Sequence, residues 1–314
     1  MSIVSIVFSF RNEVDNIPEL IKRSKASLEK IDIEYEIIFI NDYSTDGSLD
    51  LLKKYNKKDK RIKIINMSRN FGITPSILAG FKYAKGDSLI YLDSDLQDPP
   101  ELFPKLIKKW REGFDIIHTT RKKRLGENRV KLFLTNVAYY IINKVANINI
   151  RRDSGDFKLL SRRAINNIIN LNEYDPFLRG IPSWIGFKQT NIFYIRQPRF
   201  DGETKFSLMK FGTNPYKEFI RGVISFSTAP LYVSFIFGSI SLIFLSSYFI
   251  YKAYLYIFQG NEISVLFLLS LSNLWFGSFI LFTIGILGIY LGNIHESVKN
   301  RPRYIIDSFI GFDR

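Results

Sequence analysis

The stretch "LIYLDSDLQDPPE" places three carboxylates, Asp93, Asp95 and Asp98, within six positions. They follow Leu89–Leu92, a run suited to a buried strand. Two carboxylates that close repel each other unless a cation lies between them. Hard oxygen donors suit Mg²⁺ or Mn²⁺, which bind one or two carboxylates together with substrate phosphates. Asp93 and Asp95 are therefore candidate metal ligands, with a solvated acidic turn as the plain alternative. Asp98 stands before Pro99–Pro100 and reads as the N-cap of the next helix.

The elements around this motif alternate. Apolar, β-branched runs occur at Ile3–Phe8, Glu36–Ile40, Ile62–Ile65, Ser88–Leu92 and Phe114–Ile117. Amphipathic segments separate them at Ile17–Lys30, Ser48–Lys57, Pro75–Ala84 and Glu101–Glu112. This pattern predicts an α/β domain with a mainly parallel sheet covered on both faces. Ligands of such sheets bind beyond the carboxyl ends of the strands. The polar residues just after the strands are Ser9, Arg11, Asn12 and Glu13; Asn41, Asp42 and Asp46; Ser68, Arg69 and Asn70; Asp93, Asp95 and Gln97. No GxGxxG follows the first strand and no GxxxxGK[ST] occurs, so neither a dinucleotide fold nor a P-loop is supported.

Composition changes near residue 222. Gly222–Tyr251 and Ile263–Ile294 carry no charged residue. Each exceeds the roughly 20 apolar residues that a membrane-crossing helix needs. Lys205, Lys210, Lys217 and Arg221 precede the first run, and Lys299, Arg301, Arg303 and Arg314 follow the second. The positive-inside rule then places both ends of a two-helix hairpin in the cytoplasm, in a cell membrane. The N-terminus has no basic n-region and reads as a strand instead of a signal peptide. With no cysteine, disulfides and thiolate metal sites are excluded. The two histidines, His118 and His295, read as packing or interface residues. The net charge of +14 suits an anionic partner. No nucleic-acid-binding motif accompanies it, so nucleic acid is not expected.

"LDSDLQDPPE" resembles the acidic segment of family 2 glycosyltransferases of the polyprenyl-phosphate type. That group includes dolichyl-phosphate mannose synthases and bacterial GtrB-type glucosyltransferases. The similarity runs along the whole chain in "VSIVFSFRNEVDNI", "FINDYSTDGS", "SRNFG", "RDSGDFKLLSRR", "RQPRFDGETKFSLMKF" and "LGIYLGNIHESVKNRPRYII". Departures from the pattern are Ser9 for a proline, Arg11 for a tyrosine, and Asn41 where the first nucleoside-site aspartate is expected.

The resemblance implies a GT-A-type nucleotide-sugar-binding domain over 1–205 and juxtamembrane interfacial helices over 206–228. Two transmembrane helices over 229–294 and a cytoplasmic tail over 295–314 complete the chain. It implies inverting transfer of a hexose from a nucleotide diphosphate sugar to polyprenyl phosphate. UDP-glucose is favoured as donor; GDP-mannose and UDP-N-acetylhexosamine stay open. Asp93, Asp95 and Gln97 would hold Mg²⁺ or Mn²⁺. Ser9, Asn12, Glu13, Asp42, Arg69, Asn70 and Asp93 would line the nucleotide-sugar site. Asp156 is the candidate base or sugar-orienting carboxylate, beside Asp95, with Asp153 as its alternative; pairing with Arg151 or Arg152 is the structural reading of Asp156.

An acceptor that is already an anion needs positioning and charge neutralisation, to which arginine's planar fork is suited. Arg121, Arg124, Arg129, Arg196, Arg199 and Lys205 are the acceptor-phosphate candidates. Val130–Ala146 and Phe206–Phe226 resemble interfacial helices lying on the bilayer, and a homo-oligomer is expected. Two other readings compete. A chain-extending synthase would carry more spans and a QxxRW segment, which is absent. A non-catalytic nucleotide-sugar scaffold would not need the intact Asp93/Asp95/Gln97 set.

Overall fold

The structure, a computed structural model, describes residues 2–121, 140, 143–144, 154–171, 173–196, 221–259 and 265–312. The described chain divides into two compact units, 1–225 with 302–314, and 226–301.

The first unit is built on an eight-stranded sheet in the order β7-β5-β6-β4-β1-β2-β3-β8. Its centre comprises β1 (Ile3–Phe10), β2 (Glu34–Asn41), β3 (Ile62–Met67) and β4 (Ser88–Asp93). These strands are buried on both faces, so they read as continuous apolar runs without polar alternation. Helices α1 (Asn16–Leu28), α2 (Ser48–Lys58), α3 (Ile73–Tyr83) and α4 (Phe103–Arg111) connect or follow them. The β4–β1–β2–β3 pairings are parallel, and the register sets Ser9 beside Asp93, Phe10 beside Asn41, and Asn41 beside Asn66. The carboxyl ends of the four strands thus form one rim.

The remaining strands refine the expectation of a mainly parallel sheet: the sheet is mixed. β6 (Ser154–Ser161) runs antiparallel to both β4 and β5 (Ile116–Arg121). β7 (Gln189–Tyr194) is parallel to β5, and β8 (Ile306–Ile310) is antiparallel to β3. Helices α5 (Arg162–Ile169) and α6 (Ile181–Trp184) lie between β6 and β7 in sequence. The segment 295–314, expected as a tail, supplies β8, and residue 302 onward belongs to the sheet unit.

Opposite the rim, Glu36 holds the amino ends of the strands. Its buried carboxylate accepts from Ser5 Oγ, Lys63 Nζ and the Lys85 backbone N–H at 2.6–2.7 Å. Gly86 sits against this cluster, where a Cβ would lie 2.6 Å from the Ser5 nitrogen.

The second unit holds α7 (Ala229–Gln259) and α8 (Val265–Val298). Within them Ala229–Phe258 and Leu268–Val298 are long and apolar enough to cross a membrane. Their side chains are largely exposed, which an aqueous core helix would not tolerate. Gly238 lets Phe279 of α8 approach α7, where a Cβ would lie 2.8 Å from the ring. The expected interfacial segments fall mostly outside the described residues; residues 221–226 are helical.

Candidate active site

The rim loops hold three of the four non-glycine residues with positive φ among the described residues. Among the described non-glycine residues, Asn12, Tyr43, Leu96 and Asn300 have positive φ. The first three sit in the loops after β1, β2 and β4. Such conformations cost on the order of 1 kcal/mol or more each, so surrounding contacts must impose them. Leu96 shows how. Its side chain is buried in the core at 1% exposure while its backbone turns left-handed at φ 58°. Next to that turn the Gln97 N–H donates to Asp95 Oδ1 at 3.2 Å.

Carboxylates crowd the end of β4. Burial, then the charges of Asp156, Asp95 and Asp98, push the Asp93 carboxyl up to about 7, with Arg179 opposing them. Asp156, on β6, faces Arg179 through Nε at 3.1 and 3.2 Å and Nη2 at 2.8 Å. Burial would raise the Asp156 carboxyl. Arg179's charge and hydrogen bond, with Lys158 and Arg121 beyond it, instead hold it well below the usual carboxylate range. Fully buried Lys158 donates to the Gly155 carbonyl at 2.8 Å. Burial pulls its ammonium down to about 8 against the Asp156 charge. So depressed a carboxylate makes a weak base and a fixed hydrogen-bond acceptor.

The loops after β1 and β2 are tied together. The Asn12 N–H donates to Ser44 Oγ at 3.0 Å, and Asn12 Oδ1 accepts from the Thr45 N–H at 2.8 Å. Glu13 donates through its backbone to Ser48 Oγ at 3.3 Å and accepts from Asn16 Nδ2 at 2.6 Å. Asp46 accepts from the Val14 N–H and from Ser48. These bonds outweigh the effect of burial and lower its carboxyl. Asp42, expected at the nucleoside, is 5% exposed and accepts from the backbone N–H groups of Phe71 at 2.7 Å and Gly72 at 3.0 Å. It therefore fixes the "SRNFG" loop at α3, where Gly72 takes φ 95°, a value that favours glycine. Exposed Arg69 lies 4.3 Å from the Phe71 ring, and the Asn70 amide oxygen accepts from the Arg11 guanidinium.

Asp98 does not cap a helix: neither Pro100–Leu102 nor α4 has a side-chain cap bond. Its carboxylate is 1% exposed and accepts from the Tyr194 hydroxyl. Arg121 and Arg196 approach it at 3.7 and 3.6 Å. The structure thus brings together Ser9, Asp93, Asp95, Gln97 and Asp156 at one end of the sheet, with Arg121 and Arg196 around Asp98. Asp153, Arg124, Arg129, Arg199 and Lys205 lie outside the described residues. Among the described residues, no three carboxylate or imidazole groups converge as a metal cage. His118 is packed, its Nε2 sharing a 2.8 Å hydrogen bond with Gln189 Oε1.

Residues 5–169 match the family described as Glycosyl transferase family 2. The chain belongs to glycosyl transferase family 2. An uncharacterized glycosyltransferase of Synechocystis sp. is 38% identical over 310 residues, covering 99% of this chain and 96% of the relative. The prophage bactoprenol glucosyl transferase homolog of Escherichia coli strain K12 is 36% identical, covering 96% of this chain and 98% of its own. The bactoprenol glucosyl transferase of Shigella phage SfV is also 36% identical, over 96% and 97% of the two chains. A solved mannosyltransferase of Pyrobaculum calidifontis superposes with a TM-score of 0.41 at 14% identity, over 62% of this chain and 54% of that one.

As a family 2 glycosyltransferase this chain is an enzyme, and three residues that the structure sets around Asp156 and Asp98 are silent as local sequence signals. Arg179 sits in a loop far from Asp156 in sequence. Lys158 stands two positions after Asp156 on β6, and nothing in that strand's sequence signals that it is fully buried. Tyr194 belongs to the edge strand β7, and its hydroxyl meets Asp98 across 96 positions.

Proposed function

We propose that this glycosyltransferase moves glucose from UDP-glucose to a polyprenyl phosphate, with inversion, giving a lipid-linked monosaccharide. The observation that carries this reading is the pairing of two charge environments at one sheet end. The acidic group at Asp93, Asp95 and Asp156 suits a nucleotide sugar with its cation, and the arginines around Asp98 suit a second phosphate. End-to-end similarity to bactoprenol glucosyl transferases supports both the sugar and the lipid.

The donor set fits Mg²⁺ or Mn²⁺. The crowding that raises Asp93 is what an additional cation would relieve, and the donors are hard oxygens. Asp93 and Asp95 would hold the ion, with Gln97 beside them. When bound it supplies charge neutralisation for the departing diphosphate. Asp156, fixed by Arg179, orients a sugar hydroxyl. Arg121 and Arg196 draw the acceptor phosphate toward the anomeric carbon. An anionic acceptor oxygen needs no proton removed, so the depressed Asp156 suits an orienting role better than that of a base. Ser9, Asn12, Glu13, Arg69 and Asn70 border the nucleotide, and Asp42 acts through the loop it holds.

The bilayer is the second partner. Both ends of the apolar hairpin lead into the folded unit of 1–225 and 302–314. A folded unit stays on one side of a membrane, which supports a two-span topology with both termini together, and the flanking Lys and Arg favour the cytoplasm. The test of the donor is a panel of radiolabelled UDP-glucose, GDP-mannose and UDP-N-acetylglucosamine offered to membranes with polyprenyl phosphate. Organic-phase label from UDP-glucose alone is the expected result. Label from either of the others in its place overturns the glucose assignment.

A further inference from the structure

We infer that Asp98 is a positioning residue of the acceptor site, holding Arg121 and Arg196 as a preorganised pair for the phosphate of the lipid acceptor. The inference deepens the function proposed above and rests on its acceptor chemistry.

The geometry is that of a charged cluster left incomplete. Arg121 ends β5, Arg196 lies just past β7, and the parallel register sets Arg121 beside Tyr194. Both guanidiniums are mostly buried, at 14% and 23% side-chain exposure, and Asp98 is at 1%. Arg121 Nη2 lies 3.7 Å from Asp98 Oδ2, and Arg196 Nε lies 3.6 Å from Oδ1. A formed charge-assisted bond measures about 2.7–2.9 Å, so neither contact is one. Among the described residues, Asp98 Oδ2 and Arg196 Nε are buried without a hydrogen-bond partner. Buried polar atoms are rarely left so, and such an orphan invites a missing group.

The charges say which group. Two guanidiniums and one carboxylate leave a single positive charge among these three residues. A phosphate monoester offers the matching anion and enough oxygens for both forks. Without Asp98 the two cations would repel each other and lose their common orientation. Tyr194 stiffens the arrangement: its hydroxyl donates to Asp98 Oδ1 and accepts from Arg121 Nε at 3.2 Å. Gly155 leaves room for Arg121, since a Cβ there would lie 2.7 Å from Nη2. Asp98 also shares with Asp95 the loop that leaves β4 at Asp93. That loop therefore couples the acceptor arginines to the donor-side carboxylates.

The test uses the full-length enzyme in neutral detergent with a short, soluble polyprenyl phosphate. Asp98→Asn preserves shape and the Tyr194 contact but removes the charge. Acceptor KM should rise about tenfold or more, while donor KM stays within about twofold, because only the acceptor side loses its organising charge. Tyr194→Phe keeps every charge and removes the brace; acceptor KM should rise about threefold. An Asp98→Asn enzyme with wild-type acceptor KM overturns the inference. If Asp98→Asn does not fold, the Tyr194→Phe result decides: an unchanged acceptor KM then overturns it. Arg121→Ala and Arg196→Ala separate the levels. If they raise acceptor KM and Asp98→Asn does not, Asp98 loses its role and the acceptor site stands. If none of the three does, the acceptor site itself falls.

Discussion

Asn66 on β3 donates its amide N–H to the Asp307 carboxylate on β8 at 3.0 Å. The contact links the strand that follows the apolar hairpin to the rim of the active site. Asn66 Oδ1 in turn accepts from Asn41 Nδ2 at 2.8 Å, and Asn41 Oδ1 accepts from the Ser44 N–H at 3.0 Å. The ends of this relay have fixed polarity, since a carboxylate only accepts and a backbone N–H only donates. Both amides are therefore oriented without ambiguity.

The relay explains why position 41 is an asparagine. A carboxylate there would face Asn66 Oδ1 with no proton to give. Asn41→Asp should cost about 1–3 kcal/mol, because Asn41 is 1% exposed. The loss should shrink as pH falls, since the introduced group can then be protonated and donate. Chemical denaturation of the variant at neutral and acidic pH checks this; a deficit equal at both removes the relay as its cause.

Asp93 makes the metal-free enzyme pH-sensitive. Its folded carboxyl is pushed up to about 7, above the ordinary value of 3.8. Its contribution to stability is therefore complete below pH ~4 and lost as pH rises toward ~7. With EDTA present, Asp93→Asn should be more stable than wild type at pH 8, by on the order of 1–3 kcal/mol, and inactive. Thermal unfolding across this range is the measurement, and Mg²⁺ or Mn²⁺ should erase the difference by stabilising only the wild type. A wild type whose stability does not change with pH, or with added metal, would count against the crowded-carboxylate reading.

Arg179 should be indispensable to Asp156. Removing it leaves a buried carboxylate without its fork, so Arg179→Ala should lower kcat/KM by about 1.5–3 kcal/mol, roughly tenfold to a hundredfold or more. Arg179→Lys should recover little, since an ammonium cannot make the paired contact. Steady-state kinetics with both substrates varied would show it. Full activity in Arg179→Ala would mean that the ion pair serves only packing.

Much of this was legible from the chain alone, and the physical reason is locality. Ile3–Phe10 and Ser88–Asp93 are apolar runs buried on both faces, so their composition declares them. The Asp93/Asp95 spacing lies at a strand end and needs no distant partner to be noticed. The misses are non-local. β8 forms only because β3 offers a free edge, and nothing within Ile306–Ile310 reports that edge. The Pro99–Pro100 pair made Asp98 look like a helix cap, whereas Tyr194 and two arginines draw its side chain inward. The bonds from Asp42 to the backbone N–H groups of Phe71 and Gly72 were equally illegible, because those groups arrive from the loop after β3.

The most direct measurement follows radiolabelled glucose from UDP-glucose into chloroform-soluble material, using purified enzyme, polyprenyl phosphate and Mg²⁺ or Mn²⁺. Label should enter the lipid phase with the wild type, require the divalent ion, and be absent with a folded, membrane-bound Asp95→Ala variant. Labelled lipid formed equally by Asp95→Ala, or by the wild type in EDTA, would contradict a transferase built on the carboxylates after β4.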